Sequence, residues 1–188
     1  MRKLNIFMNV TLNGFFADAR SDMSWAHQSP DDKEWNDFTA ANASGDGALL
    51  FGRVTYEMMA GFWPTPAAAQ MMPTVAKSMN EMQKYVVSRT LSHATWQNTH
   101  VIKGDLATEI RKLKNTPGPD LVTLGSGSIV AQLADASLID TAQIVVHPIA
   151  LGGGKTLFSG IEGKLNLKLT KTRTFKNGNI VLWYEPGA

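Results

Sequence analysis

The sequence contains no cysteine. Disulfide bonds, thiolate-ligated zinc, iron–sulfur clusters and thiol catalysis are therefore excluded. Long apolar runs are missing too, and no segment approaches the ~20 apolar residues of a membrane-spanning helix. The opening Met1-Arg2-Lys3-Leu4-Asn5-Ile6-Phe7-Met8-Asn9 puts charge ahead of apolar residues. That apolar stretch is too short and too interrupted for a signal peptide, so a cytoplasmic protein is expected. Charge is sparse. Only 18% of residues are charged and the net charge is +2, without basic runs. This argues against both a disordered chain and a nucleic-acid-binding one. The four histidines, His27, His93, His100 and His147, lack metal-ligand spacing and read as structural or surface residues.

What is present suits a single domain over residues 1–188. A hydrophobic content of 44% is enough to bury a sizeable core. Leu4 to Leu12 reads as a strand, Asn13-Gly14 as a turn, and Phe15-Phe16-Ala17 as a short continuation. Ser29-Pro30-Asp31-Asp32 is a helix start, and the helix runs to about Ser44. Ala48 to Gly52 reads as a buried strand leading into a helix from Arg53. Gly61 to Pro73, with its three prolines, reads as loop, and Val75 to Met82 as a helix. Strands follow at Lys84–Ser88 and Thr99–Ile102, then a helix over Asp105–Lys114. A strand at Asp120–Leu124 enters Gly125-Ser126-Gly127-Ser128, followed by a helix to Ala136 and a strand at Ala142–Ile149. Leu165–Thr174 and Ile180–Tyr184 close the chain as a hairpin. The alternation indicates an α/β fold with a mixed sheet.

Three strand ends carry residues suited to phosphate. Gly125-Ser126-Gly127-Ser128 offers close backbone approach, two hydroxyls and the positive end of a helix. It is neither a Rossmann fingerprint, since Val130 stands where a third glycine belongs, nor a P-loop. The plainer alternative is a tight strand-to-helix turn. Gly52-Arg53-Val54-Thr55 places an arginine at a helix N-terminus, where the dipole disfavours it unless an anion is also present. Ser88-Arg89-Thr90 repeats the pattern of hydroxyl, guanidinium, hydroxyl. Open α/β sheets bind ligands beyond the carboxyl ends of their strands, so three such ends suit a phosphorylated dinucleotide. A second cluster, Gly152-Gly153-Gly154-Lys155, reads as a flexible turn.

These segments, taken in order, resemble the dihydrofolate-reductase-like superfamily, in particular the reductase-domain family of the bifunctional riboflavin-biosynthesis deaminase–reductase. The resemblance is carried by Asn9-Val10-Thr11-Leu12-Asn13-Gly14-Phe15-Phe16-Ala17, Phe51-Gly52-Arg53-Val54-Thr55-Tyr56-Glu57 and Val86-Val87-Ser88-Arg89-Thr90-Leu91. Gly125-Ser126-Gly127 and Pro148 to Phe158 complete it. It implies a three-layer fold with a mostly parallel central sheet, flanking helices and a C-terminal antiparallel hairpin. It also implies NADPH, with Gly52, Arg53, Thr55, Ser88, Arg89 and Thr90 holding the adenosine end and phosphates. Gly125, Ser126, Gly127, Ser128 and Ile129 would hold the pyrophosphate, and the backbone at Val10 would lie by the nicotinamide. Asn13, Trp25 and Tyr56 are candidate contacts for a small heterocyclic substrate, with Trp25 the best placed to stack on a flat ring.

The implied activity is hydride transfer to a nitrogen heterocycle or its ribosyl derivative, as in 5-amino-6-(5-phosphoribosylamino)uracil reductase. Two departures bear on substrate. Asn13 stands where an aspartate is usual, and Thr123 where riboflavin-pathway reductases carry an acid before the glycine loop. A dihydrofolate reductase, which would need one buried acid among Asp31, Asp32, Glu34 and Asp37, is a second reading. A non-catalytic NADPH-binding module is a third. Members of the family often pair, so a homodimer is expected.

Overall fold

The structure is a computed structural model and describes residues 1–26 and 31–187. Eight strands form one sheet in the order β5-β4-β3-β6-β1-β7-β10-β9. They are β1 (Leu4–Thr11), β3 (Ala48–Gly52), β4 (Lys84–Val87), β5 (Thr99–Ile102), β6 (Leu121–Leu124), β7 (Thr141–His147), β9 (Leu167–Thr174) and β10 (Ile180–Pro186). The first six strands of that order pair in parallel. β10 runs antiparallel to β7 and to β9, so the expected hairpin closes the sheet. The fold is dihydrofolate-reductase-like, as the sequence implies.

Burial along β1 shows how the layers are made. Leu4, Ile6, Met8 and Val10 are buried with α5 (Leu106–Asn115) and α6 (Gly127–Asp135). Phe7, on the alternate face, packs with Trp35, Phe38, Val145, Phe175 and Val181 beneath α1 (Lys33–Ala43). Leu49 and Phe51 on β3 meet Tyr56 of α2 (Arg53–Phe62) and Met79 of α4 (Pro73–Glu81). Strands covered on both faces read as near-continuous apolar runs, as Ala48-Leu49-Leu50-Phe51 does. Helices α1 and α4 touch each other, as do α5 and α6, one group on each face. Right-handed crossovers require this split, because the chain steps one way across the sheet from β1 to β5 and the other way from β5 to β7.

Three readings of the sequence need correction. Residues 61–73 are not loop. They hold the end of α2 and the helix α3 (Pro66–Met71), capped by Thr65 Oγ1, which accepts from Ala68 N at 3.3 Å. Pro66 and Pro73 sit in the first turns of α3 and α4, where proline starts a helix rather than breaking one. Phe15–Ala17 does not continue β1. It belongs to β2 (Phe15–Asp18), which pairs antiparallel with β8 (Gly154–Thr156), a strand that overlaps the segment read as a flexible turn. The cap of α1 is Asp32, whose Oδ1 accepts from Trp35 N at 3.1 Å, while Ser29 and Pro30 lie outside the described residues. No helix among the described residues is long and apolar enough to cross a membrane.

His147 ends β7 with 1% exposure, its ring nearly perpendicular to those of Trp25 and Trp35. Its Nε2 donates to Asn9 Oδ1 at 2.9 Å. Burial penalises the imidazolium and pulls the pKa from 6.5 down to about 4. The unfolded chain therefore binds a proton between these values that the folded chain refuses. The resulting stability is fully present above pH 6.5 and is lost as pH falls from 6.5 toward 4, to a total of about 3 kcal/mol. Urea unfolding of His147→Gln, which keeps a donor toward Asn9, should show a clearly shallower loss across that window. An unchanged acid limb would assign the loss to other groups.

Candidate functional site

The parallel strands bring every strand end singled out in the sequence to one edge. In spatial order, β4 delivers Ser88, β3 delivers Gly52, β6 delivers Gly125 and β1 delivers Thr11. From β3 the chain turns into α2 on one face, and from β6 into α6 on the other. A crevice opens where neighbouring strands send their chains to opposite faces, and ligands of open α/β sheets bind there.

Ser126 spans the crevice. Its Oγ accepts from Gly52 N at 2.9 Å and donates to Thr55 Oγ1 at 2.8 Å. To do so it adopts φ 66° and ψ 67°, a left-handed conformation that costs a non-glycine residue energy. A Cβ at Gly52 would lie 3.0 Å from Ser126 Oγ, and one at Gly127 only 2.4 Å from the Phe16 ring. Both glycines are there because the loops approach this closely.

The two helices starting at the crevice carry no side-chain cap, a feature they share with α4, whereas α1, α3 and α5 are capped by Asp32, Thr65 and Asp105. In α6, Ile129 N and Val130 N both turn back to Ser126 O. The N–H groups of Gly127 and Ser128 have no carbonyl partner among the described residues. Two helix N-termini with free donors thus face one place, and their dipoles favour an anion there.

The cations differ in availability. Arg53 is bound at both carboxylate oxygens by Glu57, one turn on, at 3.0 and 3.1 Å. Both partners are about half exposed, so the pair is weak and exchangeable. Arg89 is exposed and makes no hydrogen bond or ion pair among the described residues. Its charge is felt at Asp105. That carboxyl is held below its usual range first by the Thr108 hydroxyl and N–H, then by the charges of Arg111 and Arg89. Ser88 N donates to Ile102 O at 3.0 Å, so β4 and β5 end side by side. Lys103, exposed after β5, is therefore a further cation at this edge. The sequence reading missed it, although the strand-end rule that found Arg53 and Arg89 applies equally to it.

Ser88 is buried and its hydroxyl is occupied by the turn, accepting from Thr90 N at 3.2 Å and Leu91 N at 2.9 Å. Thr90 is exposed. The Ile129 side chain packs in the core at the base of the loop. Strand β1 pairs with β6 only as far as Phe7, but with β7 as far as Thr11. Backbone groups alternate along β1, so past Phe7 it is Asn9 and Thr11 that face the β6 side, while Met8 and Val10 turn toward β7. Thr11 O already accepts from Gly14 N, which leaves the Asn9 backbone without a strand partner beside the glycine loop.

The candidate substrate contacts divide. Tyr56 is 2% exposed and its hydroxyl accepts from Trp96 N at 3.0 Å, so it is a core residue and not a ligand contact. The aromatic after the Gly-Arg motif lies on the buried face of α2, which the motif alone does not reveal. Asn13 is exposed but engaged at both ends of its amide. Nδ2 donates to Leu151 O at 2.8 Å, and Oδ1 accepts from Leu151 N at 3.2 Å and Thr11 Oγ1 at 2.8 Å. Trp25, on a single 3-10 turn (Ser24–Ala26), packs its ring nearly perpendicular to that of His147 on the α1 face. Among the described residues of α1 only Trp35 is buried. Glu34 pairs with Arg173 and Asp37 with Lys33, and Asp32 spends its oxygens on Trp35 N and Asn177 Nδ2.

Comparison with known proteins agrees with this geometry. The chain is similar to the uncharacterized protein YyaP of Bacillus subtilis (strain 168), at 28% identity over 184 residues, covering 98% of this chain and 95% of that one. Among solved structures it resembles a putative riboflavin biosynthesis protein from Shewanella sp. PV-4, at TM-score 0.77 and 24% identity, with 99% of each chain covered. It also resembles dihydrofolate reductase from Enterococcus faecalis complexed with NADP(H) and RAB-propyl, at TM-score 0.64 and 14% identity, covering 99% and 97%. The family model for the RibD C-terminal domain matches residues 2–181, nearly the whole chain, and the protein belongs to that family of reductase domains.

Proposed function

We propose that the protein is an NADPH-dependent reductase acting on a nitrogen heterocycle or its ribosyl derivative. The observation that carries this reading is the meeting of two uncapped helix N-termini at the β3/β6 crevice, joined by Ser126, with unpaired Arg89 one strand away. The residues present fit a phosphorylated dinucleotide. The Gly127 and Ser128 N–H groups suit the pyrophosphate, with the start of α2 opposite them. Arg89, with Thr90 and Lys103 nearby, suits a 2′-phosphate, which distinguishes NADPH from NADH. The backbone of Asn9, which faces the β6 side beyond the end of that strand, suits the carboxamide of the nicotinamide, because its groups lack a strand partner there.

When bound, the reduced nicotinamide supplies a hydride to a C=N or similar unsaturated bond. The chain's own contribution is to hold donor and acceptor in register and to exclude water with the β2–β8 ribbon, whose Phe16 lies against Gly127. A dihydrofolate reductase reading asks for a buried acid on the first helix. The described part of α1 buries an indole instead, and Asp32 is consumed in capping. Family membership supports a step related to riboflavin biosynthesis. Asn13 and Thr123 replace the acids expected for that substrate.

Titration with NADPH and NADH, followed by NADPH oxidation with the riboflavin-pathway pyrimidine and with dihydrofolate, tests the reading directly. Failure of both nucleotides to bind removes it. Arg89→Ala should weaken NADPH at least tenfold more than NADH, and equal weakening would take Arg89 out of the 2′-phosphate role. Ser126→Gly relieves the backbone strain but deletes the bridge. It should weaken NADPH roughly tenfold, the about 1.4 kcal/mol expected of a lost hydrogen-bonded link. Binding unchanged in Ser126→Gly would show that the two loops hold their places without it.

A further inference from the structure

The loop between β4 and β5 carries Arg89, yet its own backbone does little to hold it. Among the described residues, 89–96 make no backbone–backbone hydrogen bond. The N–H groups that are bonded go to hydroxyls instead. At the start, Ser88 Oγ accepts from Thr90 N and Leu91 N. At the far end, the buried Tyr56 accepts at its hydroxyl from the N–H of buried Trp96, at 3.0 Å. Between these points Leu91 and Ala94 pack on the cluster of Phe51, Tyr56 and Trp96, while Ser92, His93 and Thr95 are exposed.

The Trp96 side chain is pinned from another direction. Its Nε1 donates to Asn80 Oδ1 of α4 at 2.6 Å. Lys84 Nζ stands 4.4 Å from the centroid of one of its rings and donates to the next carbonyl, Gln97 O, at 3.3 Å. These contacts tie the end of the loop to α4 and β4. Among the described residues, the Tyr56 hydroxyl makes the one hydrogen bond from residues 89–97 to α2.

Tyr56 has a particular place on that helix. The residue before it, Thr55, receives the Ser126 hydroxyl from the glycine loop. Successive helix positions point about 100° apart, so neighbours can reach in different directions. Thr55 reaches the loop after β6, and Tyr56 reaches the loop after β4. The first turn of α2 therefore sets the spacing between the glycine loop and the Arg89 loop. A 2′-phosphorylated dinucleotide is sensitive to that spacing, because one ribose carries both its 2′-phosphate and its pyrophosphate. An arginine on an unheld loop has to be ordered when phosphate binds, and the ordering cost is subtracted from affinity.

We infer that Tyr56 is a positioning residue for the cofactor: through the Trp96 N–H, its hydroxyl holds the Arg89 loop at the spacing a 2′-phosphate needs, and so sets the preference for NADPH over NADH. This rests on the reductase reading above, which gives Arg89 the 2′-phosphate. Tyr56 itself touches no ligand.

Tyr56→Phe keeps the ring in the cluster and deletes the acceptor. It should weaken NADPH about fivefold and leave NADH within about twofold, the range expected of one lost hydrogen bond. In an Arg89→Ala background the same substitution should weaken NADPH by less than about twofold, because the group it positions is gone. A tyrosine that only stabilises the fold would weaken both nucleotides alike, or lower the melting temperature with both affinities unchanged, and would act equally with and without Arg89. Each of those results overturns the proposal. The Trp96 amide reports on the same bond in wild type: saturating NADPH should slow its hydrogen exchange more than saturating NADH does. Equal slowing overturns the proposal even if Tyr56→Phe does not fold. Selectivity lost in Arg89→Ala but kept in Tyr56→Phe refutes this inference alone, whereas equal weakening of both nucleotides in Arg89→Ala refutes the reading on which it rests.

Discussion

The Ser126 hydroxyl accepts the Gly52 N–H and donates to Thr55 Oγ1, and the carboxyl edge is arranged around that pair of bonds. Without them, the loops after β3 and β6 would be two independent turns leading to helices on opposite faces. With them, the N-termini of α2 and α6 are held at a fixed separation and with a fixed aim. The bridge requires Ser126 to take a backbone conformation that glycine would adopt at less cost. A serine that keeps such a geometry does so for its side chain, and here the side chain has both of its bonds. Strain at one residue is offset by two hydrogen bonds and by the ordering of both loops.

The rest of the edge follows from topology. Six parallel strands put all their carboxyl ends on one side, so residues distant in sequence become neighbours without any contact selecting them individually. The difference in strand length then matters. β6 stops at Leu124 while β1 continues to Thr11, and the step between them leaves backbone unpaired on the side of the glycine loop. An unpaired edge in the middle of a sheet is a liability unless a ligand or a loop covers it. Here the β2–β8 ribbon flanks it, held by Asn13 on Leu151 and by Lys155 on Ser21.

Much of this was legible in the sequence, and the misses have identifiable causes. Apolar runs such as Ala48–Phe51 and turn signals such as Asn177-Gly178 located strands β1, β3 to β7 and the closing hairpin, because period and turn chemistry are local properties. The strand-end rule found Arg53, Arg89 and the glycine loop for the same reason. Residues 61–73 were misread because proline was scored as a breaker, when Thr65-Pro66 and Pro73 are helix starts whose following residues decide the matter. β8 was missed because its partner β2 lies far away in sequence and its residues, Gly-Lys-Thr, carry no apolar signal. Tyr56 was misassigned because a motif does not say which face of its helix is buried.

The two departures from the family pattern have one physical explanation. Asn13 Nδ2 donates to Leu151 O, and the fully buried Thr123 Oγ1 donates to Gly125 O at 3.0 Å. Each stands where the resemblance implies an acid, and each gives a hydrogen to a backbone carbonyl. An ionised carboxylate has no hydrogen to give, so it would face that carbonyl oxygen with a full negative charge. At Thr123 the repulsion would act in a buried position with no cation bonded to it, which is where an unpaired charge costs most. Both side chains therefore serve loop geometry. Thr123 pins the carbonyl of the first glycine in the loop that Ser126 continues. Asn13 pins the ribbon that borders the open edge of β1. The frame they make is held by neutral hydrogen bonds.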